Sequence, residues 1–91
     1  MSGDGTGDGI TVPDGWDIVD GKLHRVFEFA DFAEAFGFMT KAAHVAEEMD
    51  HHPDWSNSWN TVTVNLSSHD VGGLTTRDER LARRMGELAG D

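Results

Sequence analysis

From Phe32 to Met49 apolar side chains recur at steps of three and four, at Phe32, Ala35, Phe36, Met39, Ala42, Ala43, Ala46 and Met49, whereas on both sides of that segment the apolar period drops to two. This change of period, from sheet to helix and back, constrains the fold more than any composition figure. A helix with one apolar stripe needs a sheet beneath it, and a sheet with alternating faces needs that helix on one side. Asp31 opens the helix as N-cap, with Glu34 three residues on completing a capping box in which Asp replaces Ser or Thr. His51-His52-Pro53 is expected to close it, because a residue ahead of proline is pushed out of the α region.

Upstream, Pro13-Asp14-Gly15 marks a turn into two strands, Trp16 to Val19 and Leu23 to Phe29, joined by the hairpin dipeptide Asp20-Gly21. In the second strand Leu23, Arg25, Phe27 and Phe29 alternate with His24, Val26 and Glu28, and Arg25 is the exception on its apolar face. Downstream, Asp54 to Ser56 reads as a brief strand and Asn57-Ser58 as a turn. Trp59 to Ser68 reads as a longer strand with Val62, Val64 and Leu66 on one face and Thr61, Thr63 and Asn65 on the other. Gly72-Gly73 frees a sharp connection, and Thr75 with Asp78 opens a last helix that buries Leu81, Met85 and Leu88. Residues 1–9 form a Gly/Asp-rich leader without apolar period, expected to be disordered, and residues 10–91 a single domain. No strong apolar stripe is expected outside the core faces.

Seventeen acidic groups against seven basic ones give a net charge of −10, which repels phosphate backbones and argues against nucleic acid as a partner. Acid excess with two lysines, Lys22 and Lys41, is what a protein in concentrated salt tolerates, and a salt-loving cytoplasm is one expectation from it. No cysteine is present, so disulfides, thiolate metal sites and a cysteine nucleophile are excluded. The sequence shows neither a signal peptide nor a membrane span, and a cytoplasmic location is expected.

Three of the five histidines sit in two junctions, His51-His52 and Ser68-His69-Asp70. Histidine titrates near pH 6.5 and both gives and takes protons near neutrality. Glu47 and His51, four apart, share a helix face, while His52 turns to the next side. A single histidine at a helix C-terminus is explained by the dipole and by capping, but capping does not require the second or the third. Three imidazoles also suffice for a catalytic zinc, yet adjacent histidines aim apart and HExxH or cysteine spacing is lacking, so no metal is expected. His24 and His44 read as solvated positions. Trp55 and Trp59 are either core anchors or walls of a pocket for a flat ring. Gly72-Gly73 is turn chemistry, since no phosphate-binding glycine pattern surrounds it. A carboxylate such as Asp50, Asp54 or Asp70 near a histidine favours its protonated form.

These residues resemble the pterin-4a-carbinolamine dehydratases. The resemblance lies in Glu47, separated by three residues from His51-His52-Pro53-Asp54-Trp55, then Asn57, Trp59-Asn60, Val62, Leu66-Ser67-Ser68-His69, Gly73-Leu74-Thr75 and Asp78 without a gap. Upstream it takes in Gly15-Trp16, the strand from Arg25 to Phe29 and the helix start Asp31-Phe32. It implies an α+β fold, a four-stranded antiparallel sheet with two or three helices packed on one face, in homodimers or homotetramers whose sheets join at their edges. The amphipathic helix that usually precedes the Gly-Trp turn in the family is expected to be missing or reduced, since a Gly/Asp-rich leader stands at that place.

The implied reaction removes water from 4a-hydroxytetrahydropterin and gives quinonoid dihydropterin, with no cofactor. The resemblance makes His51, His52 and His69 the catalytic set, with His51 and His69 as the acid–base pair and His52 also orienting the pterin. It makes Trp55, Trp59 and Ser68 substrate-binding, with Trp59 replacing the usual tyrosine, and Glu47 and Asp78 supporting. The alternatives are a non-catalytic dimerisation or assembly module on the same fold, and a pterin-related role in molybdenum-cofactor metabolism.

Overall fold

Asp20 and Gly21 both take positive φ, 53° and 76°, as a two-residue hairpin requires. They fold β1 (Asp17–Val19) onto β2 (Lys22–Glu28) in the computed structural model, which describes residues 10–91. The leader expected at 1–9 lies outside the described residues. After β2 come α1 (Phe32–Met49), β3 (Asp54–Ser58), β4 (Thr61–Leu66) and α2 (Thr76–Leu88). The strands form one antiparallel sheet in the order β1-β2-β4-β3, so the fold is α+β with a four-stranded sheet and two helices. Leu23, Phe27, Val62, Val64 and Leu66 present one face to Ala35, Phe38, Ala42 and Val45 of α1 and to Leu81, Ala82 and Met85 of α2. Thr61, Thr63 and Asn65 lie on the other face, half-buried.

The hairpin between β3 and β4 turns at Trp59-Asn60, two residues later than the sequence reading placed it. Two asparagine side chains explain the offset. Asn57 Nδ2 donates to the carbonyls of Trp59 (3.1 Å) and Thr61 (3.0 Å), which holds Trp59 in the left-handed region at φ 50°. Asn60 Nδ2 donates to the Phe29 carbonyl at 2.9 Å and its own carbonyl accepts from Phe29 N, tying the turn to the end of β2.

The buried stripe of α1 also differs from the expected one. Asp31 caps the helix as read, accepting from Glu34 N at 2.9 Å. The inward residues, however, are Ala35, Phe38, Ala42, Val45 and Ala46, while Phe32 and Phe36 are 49% and 53% exposed and stack on one another at 5.7 Å. Phe38 sets the rotation by packing on Phe27 (4.7 Å) and Phe29 (5.1 Å) of the sheet side. An apolar patch outside the core therefore exists, contrary to expectation. The helix ends at Met49, ahead of the proline, because Asp50 adopts φ 51° and ψ 43° and His51 N bonds back to the Ala46 carbonyl at 3.0 Å, a left-handed closure.

Arg25, the polar exception on an apolar face, is held by two contacts of its guanidinium. Its guanidinium lies 4.3 Å over the Phe27 ring and donates to both oxygens of Asp91 at 2.7 and 2.9 Å. Gly15, at φ 89°, leaves room for it, since a Cβ there would stand 2.8 Å from Arg25 Nη1. The Arg25 hydrogen bond holds the Asp91 carboxyl below its usual range. Replacing Arg25 by Met should lower stability by about 1–2 kcal/mol at neutral pH through the lost pairing and cation–π contact. Because the folded pKa of Asp91 lies below its unfolded value, the pairing is complete above about pH 4 and is lost as pH falls through the folded value. Urea denaturation should show the gap between wild type and Arg25→Met narrowing in acid.

Candidate active site

The closure at Asp50 redirects the chain, so the four-residue relation between Glu47 and His51 ends with the helix. His51 turns inward, 7% exposed, and its Nε2 lies 2.6 Å from Oδ1 of Asp78. His52 turns outward, and it is His52 whose Nε2 meets Glu47 Oε2 at 2.7 Å, between two largely exposed side chains. The expected Glu47–His51 pair is thus replaced by Glu47–His52 and Asp78–His51. Neither Nδ1 has a hydrogen-bond partner among the described residues, and neither is sealed in, since Trp16 Nε1 is the buried side-chain nitrogen lacking one.

Asp78 is fully buried at the third position of α2, where it completes the capping box of Thr75. Its Oδ2 accepts from Thr75 N at 2.9 Å and from Ser68 Oγ at 2.8 Å, while Oδ1 faces His51. Ser68 is buried too, and its hydroxyl is spent on Asp78. The inward parity of Val62, Val64 and Leu66 carried two residues further would have placed it there.

Ser68 and Gly73 bridge each other, Ser68 N to Gly73 O at 2.9 Å and Gly73 N to Ser68 O at 3.3 Å, with Gly72 at φ 68° making the reversal. His69 stands exposed on the loop so closed, beside a hollow lined by Lys22, Ser67 and the Gly72-Gly73 backbone. Its neighbour Asp70 accepts twice from Arg77 Nη2, at 2.8 and 3.1 Å. That hydrogen bond is the main cause holding the Asp70 carboxyl below its usual range.

Trp55 is half-buried at the start of β3, packed against the core near the histidines. Trp59 is 64% exposed at the far tip of the same hairpin, five strand residues or about 17 Å away, so within one protomer it walls no pocket with the histidines. His24, expected to be solvated, is half-buried and bonded to Asn65 Oδ1 at 2.9 Å, whereas His44 is exposed as expected. Among the described residues no three His, Asp or Glu side chains converge as metal ligands would. Also among them, no helix is long and apolar enough to cross a membrane. Arg77 enters the site without having been foreseen, and Thr75, read as a helix start, joins it through its hydroxyl.

An α+β layer with carboxylate-backed histidines at one end of the sheet defines a class of site suited to proton transfer on a small molecule. The sequence profile described as Pterin 4 alpha carbinolamine dehydratase matches residues 7–88, and the chain belongs to that family. A relative from Afipia carboxidovorans is 58% identical over 77 residues, covering 82% of this chain and 77% of its own. One from Solibacter usitatus is 54% identical over 74 residues, covering 81% and 78%. A solved structure from Brucella melitensis, described as a transcriptional coactivator/pterin dehydratase, superposes with a TM-score of 0.82 at 49% identity, covering 85% of this chain and 84% of that one. A pterin dehydratase-like protein described as a RuBisCO assembly factor in the alpha-carboxysome shares the fold, with a TM-score of 0.69 at 23% identity over 84% and 88%.

The two carboxylates should respond differently to neutralisation. Asp78→Asn turns an amide donor toward one of the three donors around it and should cost about 2–3 kcal/mol, the penalty of a buried donor left without an acceptor. Glu47→Gln, on an exposed pair, should stay within about 1 kcal/mol of wild type. Urea midpoints of the two variants at neutral pH measure the contrast.

Proposed function

We propose that the protein dehydrates 4a-hydroxytetrahydropterin to quinonoid dihydropterin. The observation that carries this reading is His51, backed by a buried carboxylate that also holds Ser68 at the base of the His69 loop, on the same end of the sheet as His52. The reaction breaks the C4a–O bond, with one group delivering a proton to the departing hydroxyl and another accepting the proton from N5, so that water leaves and charge balances. His51 and His69 serve as that pair. His52, fixed by Glu47, orients the pterin and shares the proton work. Trp55 contributes apolar surface at the start of β3. Ser68 moves from substrate contact to support, and Trp59 drops out of the pocket of a single protomer. The reaction on this reading uses no cofactor, in a cytoplasmic homodimer or homotetramer.

A second reading, an assembly or dimerisation module on the same fold, is favoured by the stacked, exposed Phe32 and Phe36 on α1. The two readings separate on one assay: the rate of 4a-hydroxytetrahydropterin dehydration over the spontaneous rate, at low and high salt. Wild type should accelerate the reaction, and His51→Ala and His69→Ala should each lose about 100-fold or more, the usual worth of a positioned acid or base. A wild-type rate equal to the spontaneous one at every salt concentration would discard the dehydratase and leave the module.

A further inference from the structure

Ser68 has one hydroxyl proton, and it is donated to Asp78 Oδ2 at 2.8 Å. The 2.8 Å contact between Ser68 Oγ and Thr75 Oγ1 must therefore run from Thr75 to Ser68. Thr75 Oγ1 in turn accepts from Arg77 N at 3.2 Å and from Arg77 Nε at 3.4 Å. Every bond in the series now has a sense, from the Arg77 guanidinium to Thr75, to Ser68, to Asp78. Asp78 then meets His51 Nε2 with acceptor oxygens only, its other oxygen already holding the Ser68 hydroxyl and the Thr75 amide. A carboxylate oxygen 2.6 Å from a ring nitrogen demands an N–H there.

We infer that Ser68 and Thr75 are positioning residues which, by holding Asp78 Oδ2 with a hydroxyl and an amide, keep Oδ1 turned on His51, hold the neutral ring as the Nε2–H tautomer and leave Nδ1 as the nitrogen that exchanges a proton with the substrate. The tautomer follows from hydrogen bonds within the fold, and its use on a substrate rests on the proposed dehydratase. The same series ties the two histidine segments together. Ser68 precedes His69, and Arg77, which starts the series, also clamps Asp70 on the other side of His69. One polarised set of bonds thus fixes both the ring of His51 and the loop of His69, and donors aligned head to tail strengthen one another.

The test is the long-range 1H–15N correlation spectrum of the histidine rings, recorded where His51 is neutral, on wild type, Ser68→Ala and Thr75→Ser, beside steady-state dehydration kinetics. Wild-type His51 should show a protonated Nε2 and an unprotonated Nδ1. Ser68→Ala should mix the tautomers and lower kcat by about tenfold or more, the worth of one hydrogen bond to a carboxylate, with KM within about twofold. Thr75→Ser keeps the hydroxyl and should match wild type in both. Wild-type His51 with its proton on Nδ1 overturns the inference even if Ser68→Ala fails to fold. A folded Ser68→Ala with unchanged ring signals and unchanged kcat overturns it as well. If wild type shows the Nε2–H ring and Ser68→Ala mixes it, but no dehydration is catalysed, the dehydratase reading falls while the positioning role stands.

Discussion

A fully buried carboxylate is costly to keep unless donors surround it, and the geometry at Asp78 meets that demand with three from three different parts of the chain. Thr75 N comes from the start of α2, Ser68 Oγ from the residues after β4, and His51 Nε2 from the end of α1. Along the chain Thr75 lies 3 residues from Asp78, Ser68 lies 10 and His51 lies 27. Asp78 therefore converts a capping residue into the point where two helices and the end of the central strand are registered. Losing it would leave donors without an acceptor in a site where water cannot replace it, which is why its neutralisation is predicted to be so much more disruptive than that of Glu47.

The two adjacent histidines show how one backbone residue divides labour between neighbours. The left-handed conformation of Asp50 ends α1 and sends His51 beneath the helix and His52 outside it. His51 gains a buried partner and a fixed ring, while His52 gains an exposed one that holds it loosely. A buried imidazole with one nitrogen committed is a precise but inflexible proton carrier, and an exposed one adjusts to a ligand. The loop of His69 sits between these extremes, exposed at its tip yet closed at its base by the Ser68–Gly73 bridge and clamped through Asp70 and Arg77. Placing three histidines in three degrees of restraint is what the chain achieves with a capping box, a left-handed residue and a glycine pair.

Much of this was legible beforehand because it rests on local rules. The Asp20-Gly21 hairpin, the Asp31 cap, the inward parity of Val62, Val64 and Leu66 and the Thr75–Asp78 capping box follow from periods and turn chemistry that act over a few residues. The errors arose where a distant partner decided between local options. Phe36 and Phe38 are both large and apolar, and only the rings of Phe27 and Phe29 select Phe38 for the inside. Asn57 reads as a turn residue, and it acts as one from inside the strand, reaching forward to Trp59 and Thr61. Glu47 and His51 share a face only while the helix continues, and its end at Met49 is set by a non-glycine residue in a conformation that sequence seldom announces.

The positions of the apolar residues left outside the core separate two properties of the molecule. The histidines and their carboxylates occupy the end of the sheet where β3 begins and β4 ends. Trp59 lies at the opposite tip of that hairpin, and Phe32 and Phe36 lie on the first turns of α1, at the helix end away from the histidines. No hydrogen bond among those described joins these residues to the Asp78 network. The edge strand β3 is short and mostly polar, Asp54-Trp55-Ser56-Asn57-Ser58, so it resists indiscriminate pairing and would join another sheet only with a specific partner. Any surface that brings copies together through Phe32 and Phe36 would act on the site only through the body of α1, whose C-terminal end carries His51. A helix of eighteen residues is a stiff connection of about 27 Å, long enough to keep the exposed phenylalanines and the histidine site apart.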